Sequence, residues 1–226
     1  MKIPIHDVWR QLSQSIGGLY SGDHFFEPPM VRLDHGPWAI FLSCVSANTG
    51  SPVESVFTVI YAAYQPRQLF SLHLRPFDRR SEGICPDGEA MNVGLEHIDD
   101  RFVVCSTHPV TARSLLSFSD MSELLARQPG LRLRIGSNLW HSVQDPRIDA
   151  RYAENFEEIE FRHAGVIREA RVLKSLFDMM TMLLDQMLAF DLMRPDMPDL
   201  DAPLREAYKR GGSWTTRWGR VPIPDL

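Results

Sequence analysis

The chain has 226 residues, of which 44% are hydrophobic and 23% charged, as in an ordinary globular protein able to bury a sizeable core. Its formal net charge of -5 and pI near 5.9 argue against nucleic acid as the main partner, because nucleic-acid-binding proteins concentrate positive charge. The N-terminal residues lack the continuous apolar core of a signal peptide, and no apolar run is long enough to span a bilayer.

The N-terminal half is predicted to form one helix and four strands. Apolar residues at helical spacing predict a short amphipathic helix over 5–16, which Gly17 and Gly18 end. Residues typical of turns separate the strands, and short connections between successive strands favour an antiparallel meander. The four predicted strands cover 30–34, 38–45, 55–64 and 68–75.

The middle of the chain is less regular. Residues 78–96 combine glycine, proline and charge without periodicity, so we predict an irregular excursion there. A strand over 101–105 and a helix over 109–127 follow, with Pro109 suited to the first helical turn. The remaining predictions are a strand over 131–136, a loop over 140–155 and a strand over 159–162.

The longest predicted element is a helix over 166–193, between Gly165 and Pro195, which would be roughly 42 Å long at ~1.5 Å per residue. Its polar side is interrupted by further apolar residues that a helix covering one sheet face does not need. Burial against the protein itself, with Trp9 and Leu12 of the first helix as contacts, is one explanation. A dimer or partner surface is the other, since methionine-rich faces adapt to other proteins. The additional apolar residues are Met179, Met182, Leu188 and Leu192.

This order of elements predicts an α+β fold with a mainly antiparallel sheet, helices on one face, and a long C-terminal helix. We expect one domain over 1–194 and an extended C-terminal arm over 195–226. The arm changes from acidic and proline-rich to basic and aromatic. It could pack on its own domain, bind a protein partner, lie on a membrane surface or bind single-stranded nucleic acid. Its anchor residues would be Tyr208, Trp214, Arg217, Trp218 and Arg220.

Two runs of sequence carry a resemblance to a known family. They are IDDRFVVCSTHPVTARSLLSFSDMSELLARQPGLRLRI and EIEFRHAGVIREARVLKSLFDMMTMLLDQM, and the segment VRLDHGPWAIFLS adds a tryptophan-bearing strand. Together they resemble a family of uncharacterised bacterial proteins over roughly residues 30–193. The resemblance implies a fold pattern and no activity. The stretch 78–96 departs from the pattern, and the residues after 195 lie outside it.

Familiar catalytic signatures are absent from the sequence, which contains no GxGxxG, P-loop, GxSxG or HExxH motif. The weak alternative is a site near 78–108 built from polar residues, where a histidine and carboxylates could hold a metal. A solvated strand entry is the simpler explanation, and we predict no metal or cofactor. The residues of this alternative are His97, Asp99, Asp100 and His108.

Cysteines and glutamates offer two further patterns. Cys44, Cys85 and Cys105 are widely separated, and their odd number favours reduced thiols in the cytoplasm over a disulfide framework. Cys105 beside His108 could act as a nucleophile, although a small buried core residue is the simpler explanation. Glu157, Glu158 and Glu160 could supply paired carboxylates, since Glu158 and Glu160 share a face of the strand, but a solvated strand edge is the simpler explanation.

The sequence therefore favours a non-catalytic binding or assembly subunit of a bacterial protein complex. An enzyme of unrecognised type, with a site near 78–108, is the alternative. The partner would be another protein or a second copy of the chain, with a membrane surface as a further option. The expected location is the cytoplasm, or the periphery of a membrane or large complex.

Overall fold

The computed structural model describes residues 4–22, 29–47, 55–77, 85, 88–128, 130–136 and 156–196. These residues form one mixed α+β unit with a nine-stranded antiparallel sheet and five helices, which confirms the predicted fold class. The strands are β1 Leu19–Ser21, β2 Met30–His35, β3 Trp38–Ala47, β4 Ser55–Tyr64, β5 Leu72–Pro76, β6 Glu89–Met91, β7 Phe102–Ser106, β8 Leu131–Gly136 and β9 Glu157–Ala164. The helices are α1 Ile5–Ile16, α2 Glu96–Asp99, α3 Pro109–Leu116, α4 Ser119–Arg127 and α5 Ala170–Ala189.

The strand order is β1-β2-β3-β4-β9-β8-β5-β7-β6. The predicted meander is confirmed for β2, β3 and β4, which pair in sequence through antiparallel registers. It is wrong for β5, because β9 and β8 lie between β4 and β5. A late segment of the chain therefore occupies the centre of the sheet.

One face of the sheet is aliphatic and packs against the helices. Successive side chains of a strand point to opposite faces, so Ile60 and Ala62 face one way while Tyr61 faces the other. In register, Ile60 is opposite Phe161 and Ala62 is opposite Ile159. These residues belong to one hydrophobic core with the buried faces of α1 and α5, which gives most of the fold's stabilisation.

The long helix α5 lies against the N-terminal helix, as one of the two predicted arrangements requires. Trp9 and Leu12 of α1 have no exposed surface and share the core with Met179 of α5. Gly17 ends α1 in the left-handed conformation at φ 72°, as the sequence predicted.

Helix α5 has 20 residues and is therefore about 30 Å long, shorter than predicted. Gly165 turns the chain at φ 84°, and residues 166–169 then run without helical structure. Their path is held by Thr58 of β4, whose hydroxyl oxygen accepts the Ile167 N–H at 2.9 Å and donates to the Gly165 carbonyl at 2.8 Å. This tertiary contact holds the segment after Gly165 in a non-helical path until α5 begins at Ala170.

Three further elements differ from the prediction. The helix predicted over 109–127 is broken at Ser117 and Phe118 into α3 and α4, and both outer ends are correct. The region predicted to be irregular contains β6 and the start of α2. Gly88 allows β6 to approach β7, because a Cβ there would lie 2.4 Å from the carbonyl carbon of Ser106.

The cysteine prediction is wrong for two residues. Cys85 and Cys105 form a disulfide with their Cα atoms 5.7 Å apart, whereas Cys44 is free. The two cysteines are 20 positions apart, and only the pairing of β6 with β7 brings their segments together. Disulfides persist in oxidising compartments, so the cysteines no longer support a cytoplasmic location.

Candidate binding surfaces

The four residues of the predicted alternative active site lie on two parts of the fold: His97, Asp99 and Asp100 on or directly after α2, and His108 beyond β7. Strand β7, which lies between Asp100 and His108, is about 13 Å from its first to its last residue at ~3.3 Å per residue. Asp99 is already engaged, because its carboxylate accepts the backbone N–H groups of Val93, Gly94 and Leu95 at 2.8, 2.8 and 3.0 Å. Its geometry is that of a loop-stabilising residue.

The two histidines of that set have separate surroundings. The His97 Nε2 atom is hydrogen-bonded to the Ser122 hydroxyl, which ties α2 to α4. The His108 side chain is exposed, and its ring stacks on Phe70 with centroids 6.4 Å apart. Among the described residues, no group of three or more potential metal ligands comes together. A catalytic role for these four residues stays a prediction.

The three glutamates of β9 lie in the centre of the sheet, so their prediction as a solvated strand edge is wrong. Glu157, Glu158 and Glu160 are 5%, 6% and 7% exposed. Glu157 faces the core side, where its carboxylate accepts a hydrogen bond from the Tyr64 hydroxyl at 2.5 Å. Burial raises the pKa of Glu157, and the Tyr64 hydrogen bond partly opposes this shift.

We predict that Tyr64→Phe costs about 1–3 kcal/mol near neutral pH, because it leaves the buried Glu157 carboxylate without its donor. The raised pKa means that the folded state binds this proton more tightly than the unfolded chain. The stability due to Glu157 is therefore greatest below the ordinary glutamate pKa and falls as pH rises through the folded value. The loss in Tyr64→Phe should grow with pH.

Glu157→Gln is the matched control, because its amide oxygen can still accept from Tyr64 but carries no charge. The stability of Glu157→Gln should therefore lack the pH dependence that comes from the ionisation of Glu157. Urea unfolding of the three proteins across the weakly acidic to neutral range measures both effects. Equal stability of Tyr64→Phe and wild type throughout the range would contradict the prediction.

The face of the sheet turned away from the helices, the outer sheet face, is rich in charge. Here Glu160 lies in register between Tyr61 on β4 and Arg134 on β8. One step along the strands, Arg162 of β9 lies opposite Arg132 of β8. Burial, followed by the nearby Glu158, raises the pKa of Tyr61, so its hydroxyl stays protonated. The sequence did not predict this charged face, because no local pattern indicates that β8 and β9 are neighbouring strands.

On the helical side, a cleft of about 220 Å³ lies between α4 and α5. Leu124, Met179 and Met182 supply its apolar surface. Two ion pairs border it: Lys174 binds Asp178 at 2.8 Å, and Arg127 binds Glu123. An apolar floor with a charged rim is the usual arrangement of a protein-binding surface.

The predicted partner residues differ in how far they are buried. Met182 and Leu188 are half-buried on α5, and Met182 lines the cleft. Leu192 is only 4% exposed, because the segment after α5 folds against the loop preceding β5. There the Leu192 carbonyl accepts the Arg67 N–H at 2.9 Å. Because the Leu192 side chain is buried in the core, it does not form part of a surface. The arm residues lie outside the described residues: Tyr208, Trp214, Arg217, Trp218 and Arg220.

Comparison with known proteins does not assign the chain to a family. No family model matches it, and no curated protein matches it. The crystal structure of the mycobacterial trehalose monomycolate transport factor A, TtfA, is similar with a TM-score of 0.45 and 14% identity, over 86% of this chain and 97% of that chain. A likeness at this level carries no functional conclusion, and the resemblance to a bacterial family stays a prediction. Within the ranges that the structure covers, no helix has the length and hydropathy to cross a membrane.

Proposed function

We propose that this protein is a non-catalytic binding or assembly subunit that contacts a protein partner through the cleft between α4 and α5. The observation that supports it best is the placement of Met182, a half-buried apolar side chain beside Leu124 and Met179 in an open cleft. Exposed methionines with flexible side chains suit surfaces that adapt to another protein. The polar residues on the rim are held in ion pairs, so they favour orientation of a partner over chemistry.

The C-terminal arm is the second part of this proposal. Its sequence places Trp214 and Trp218 among Arg217 and Arg220, and aromatic and arginine residues are the usual anchors of protein interfaces. In this proposal the arm supplies anchor residues, while the cleft receives an apolar side chain of the partner. A second copy of the chain could also be the partner. The molecular mass of the purified protein in solution tests for such a dimer.

Met182→Lys should leave the protein folded and reduce partner binding by about tenfold or more, because it replaces an apolar contact with an ammonium group that the interface would have to strip of water. Ala189→Lys is the matched control, since it adds the same charge to an exposed position of α5. The measurement is quantitative mass spectrometry of proteins captured by each variant from the native cell, with sedimentation velocity for self-association.

A partner captured equally by wild type, Met182→Lys and Ala189→Lys would show that the cleft is not the contact. The paired variant Trp214→Ala with Trp218→Ala, used in the same capture, tests the arm separately. Retention of the same partner by that variant would remove the arm from the proposal and leave the cleft unaffected.

A further inference from the structure

The cleft between α4 and α5 is small and has an apolar floor. Its volume of about 220 Å³ is that of a site for less than a drug-sized ligand, since small-molecule sites typically measure ~300–1,000 Å³. Leu124 and Met179 are buried at the floor, and Met182 is half-buried beside them. A cleft of this size and character suits one large apolar side chain of a protein segment.

The exposed side of α5 carries acidic residues on both sides of this cleft floor. Asp178 and Asp185 lie four residues before and three residues after Met182, so the three side chains share one face of the helix. Asp191 follows just beyond the helix end. Because the range 175–191 contains no lysine or arginine, the negative end of the helix dipole lacks a basic residue in its last turn.

These three aspartates, the acidic track, can accept further cations. Each has one ion-pair partner, and more than half of each side chain remains exposed. A carboxylate has about four acceptor positions, so one ion pair does not saturate it. The acidic track therefore favours a basic segment as the occupant of the cleft beside it.

The last described residues hold the chain near the C-terminal end of α5. The Arg194 N–H donates to the Gln65 carbonyl at 2.9 Å, which fixes the point from which the C-terminal arm departs. Met182 lies about 10 Å from the C-terminal end of α5 along the helix axis. The segment from Asp196 to Trp214 spans roughly 60 Å when extended at ~3.3 Å per residue. The tryptophans of the arm can therefore reach the cleft of their own chain.

The arm has the chemistry that the cleft and the acidic track require. The range 205–220 interleaves basic residues with Trp214 and Trp218, and Glu206 is its single acidic residue. We propose that in the free protein the C-terminal arm of the same chain occupies the α4–α5 cleft, with a tryptophan on the apolar floor and arginines along the acidic track. This inference rests on the proposed function, because it makes the arm the occupant that a partner displaces.

Tethering makes such a contact effective even where its intrinsic affinity is low. A side chain tethered within its own molecule acts at an effective concentration on the order of 1 mM. A partner at lower concentration displaces it only by binding the cleft more tightly. The arm therefore excludes weak ligands from the cleft, and its tryptophans become available to the partner once they are displaced.

The test places a bimane fluorophore, which tryptophan quenches on contact, beside the cleft of the full chain. Gln186→Cys provides the attachment point, because it lies one helical turn after Met182 on α5. Cys44→Ser removes the free thiol, and the Cys85–Cys105 disulfide leaves no other thiol to label under non-reducing conditions.

Trp214→Phe with Trp218→Phe should raise the fluorescence about twofold or more, since a contact tethered at that effective concentration is occupied most of the time. Met182→Lys should give the same rise with both tryptophans in place, because it removes the apolar floor. Ser114→Lys adds the same charge at an exposed position of α3 and should leave the quenching unchanged. A label at Asp34→Cys, on the outer sheet face, should show no rise in any variant.

Equal fluorescence with and without the arm tryptophans would overturn the inference. Continued quenching in Met182→Lys would also overturn it, because the arm would then contact α5 outside the cleft. Quenching that disappears on dilution would assign the contact to the arm of a second copy of the chain. Thermal unfolding shows whether each variant is folded, and Met182→Gln, which adds no charge, replaces Met182→Lys if the lysine variant unfolds. Capture of a partner from the native cell is a separate measurement, so this inference and the proposed function fail independently.

Discussion

Leu192→Lys should reduce the free energy of unfolding by about 4 kcal/mol or more, a large share of the ~5–15 kcal/mol that stabilises a typical domain. The side chain is 4% exposed and belongs to the hydrophobic core, so a lysine there loses water without gaining a counter-charge. The backbone of the same residue holds the loop at Arg67 and Gln68. Displacement of this segment would therefore also disturb the entry to β5.

The contrast with Met182→Lys separates a core position from a surface one. Met182 is half-buried at the cleft, and its lysine variant should keep most of the wild-type stability, as should the exposed control Ala189→Lys. Circular dichroism during urea and thermal unfolding gives the three free energies, and sedimentation velocity gives the molecular mass. A folded, stable Leu192→Lys protein would show that this residue faces a partner instead of the core.

Loss of the Cys85–Cys105 disulfide should be the second large effect. The bond closes a loop between positions 20 residues apart, and the chain-entropy model for a loop of this size gives a stabilisation of about 3 kcal/mol. Cys105→Ser should lose about that amount under non-reducing conditions and little relative to wild type in strong reductant. Cys44→Ser removes no disulfide. Under non-reducing conditions it should therefore lose less of the free energy of unfolding than Cys105→Ser.

Thiol titration provides an independent readout of the same bond. The non-reduced, denatured chain should show one reactive thiol, that of Cys44, and the reduced chain should show all three. In the folded protein, burial raises the pKa of the Cys44 thiol to about 11, so its reaction should be slow near neutral pH. Three reactive thiols in a non-reduced sample from an oxidising preparation would contradict the disulfide.

The candidate surfaces show which features local sequence patterns can predict and which they cannot. The apolar side chains of α5 were assignable from their three- and four-residue spacing, because a helix repeats every 3.6 residues. That spacing could not distinguish Met182, which lines a cleft, from Leu192, which is buried after the helix has ended. The difference depends on the loop at Arg67, a contact between segments more than a hundred residues apart.

The glutamates of β9 and the arginines of the outer sheet face illustrate the same limit. Period-two alternation correctly placed Glu158 and Glu160 on one face of a strand. Whether that strand was an edge or the centre of the sheet depended on β4 and β8, which come from distant parts of the chain. The Arg132–Arg162 pair is likewise invisible in sequence, because only the register of β8 on β9 puts those residues opposite each other.

By itself, the sequence determined the elements whose causes are local. The first helix and its glycine end, the strands over 55–64 and 131–136, and the α+β class all follow from periodicity and turn residues over short stretches. Only the tertiary structure decided the strand order, the disulfide and the burial of β9. Each of these depends on contacts between distant segments, and the free energy of such contacts comes from the whole packed core, which no short window of sequence contains.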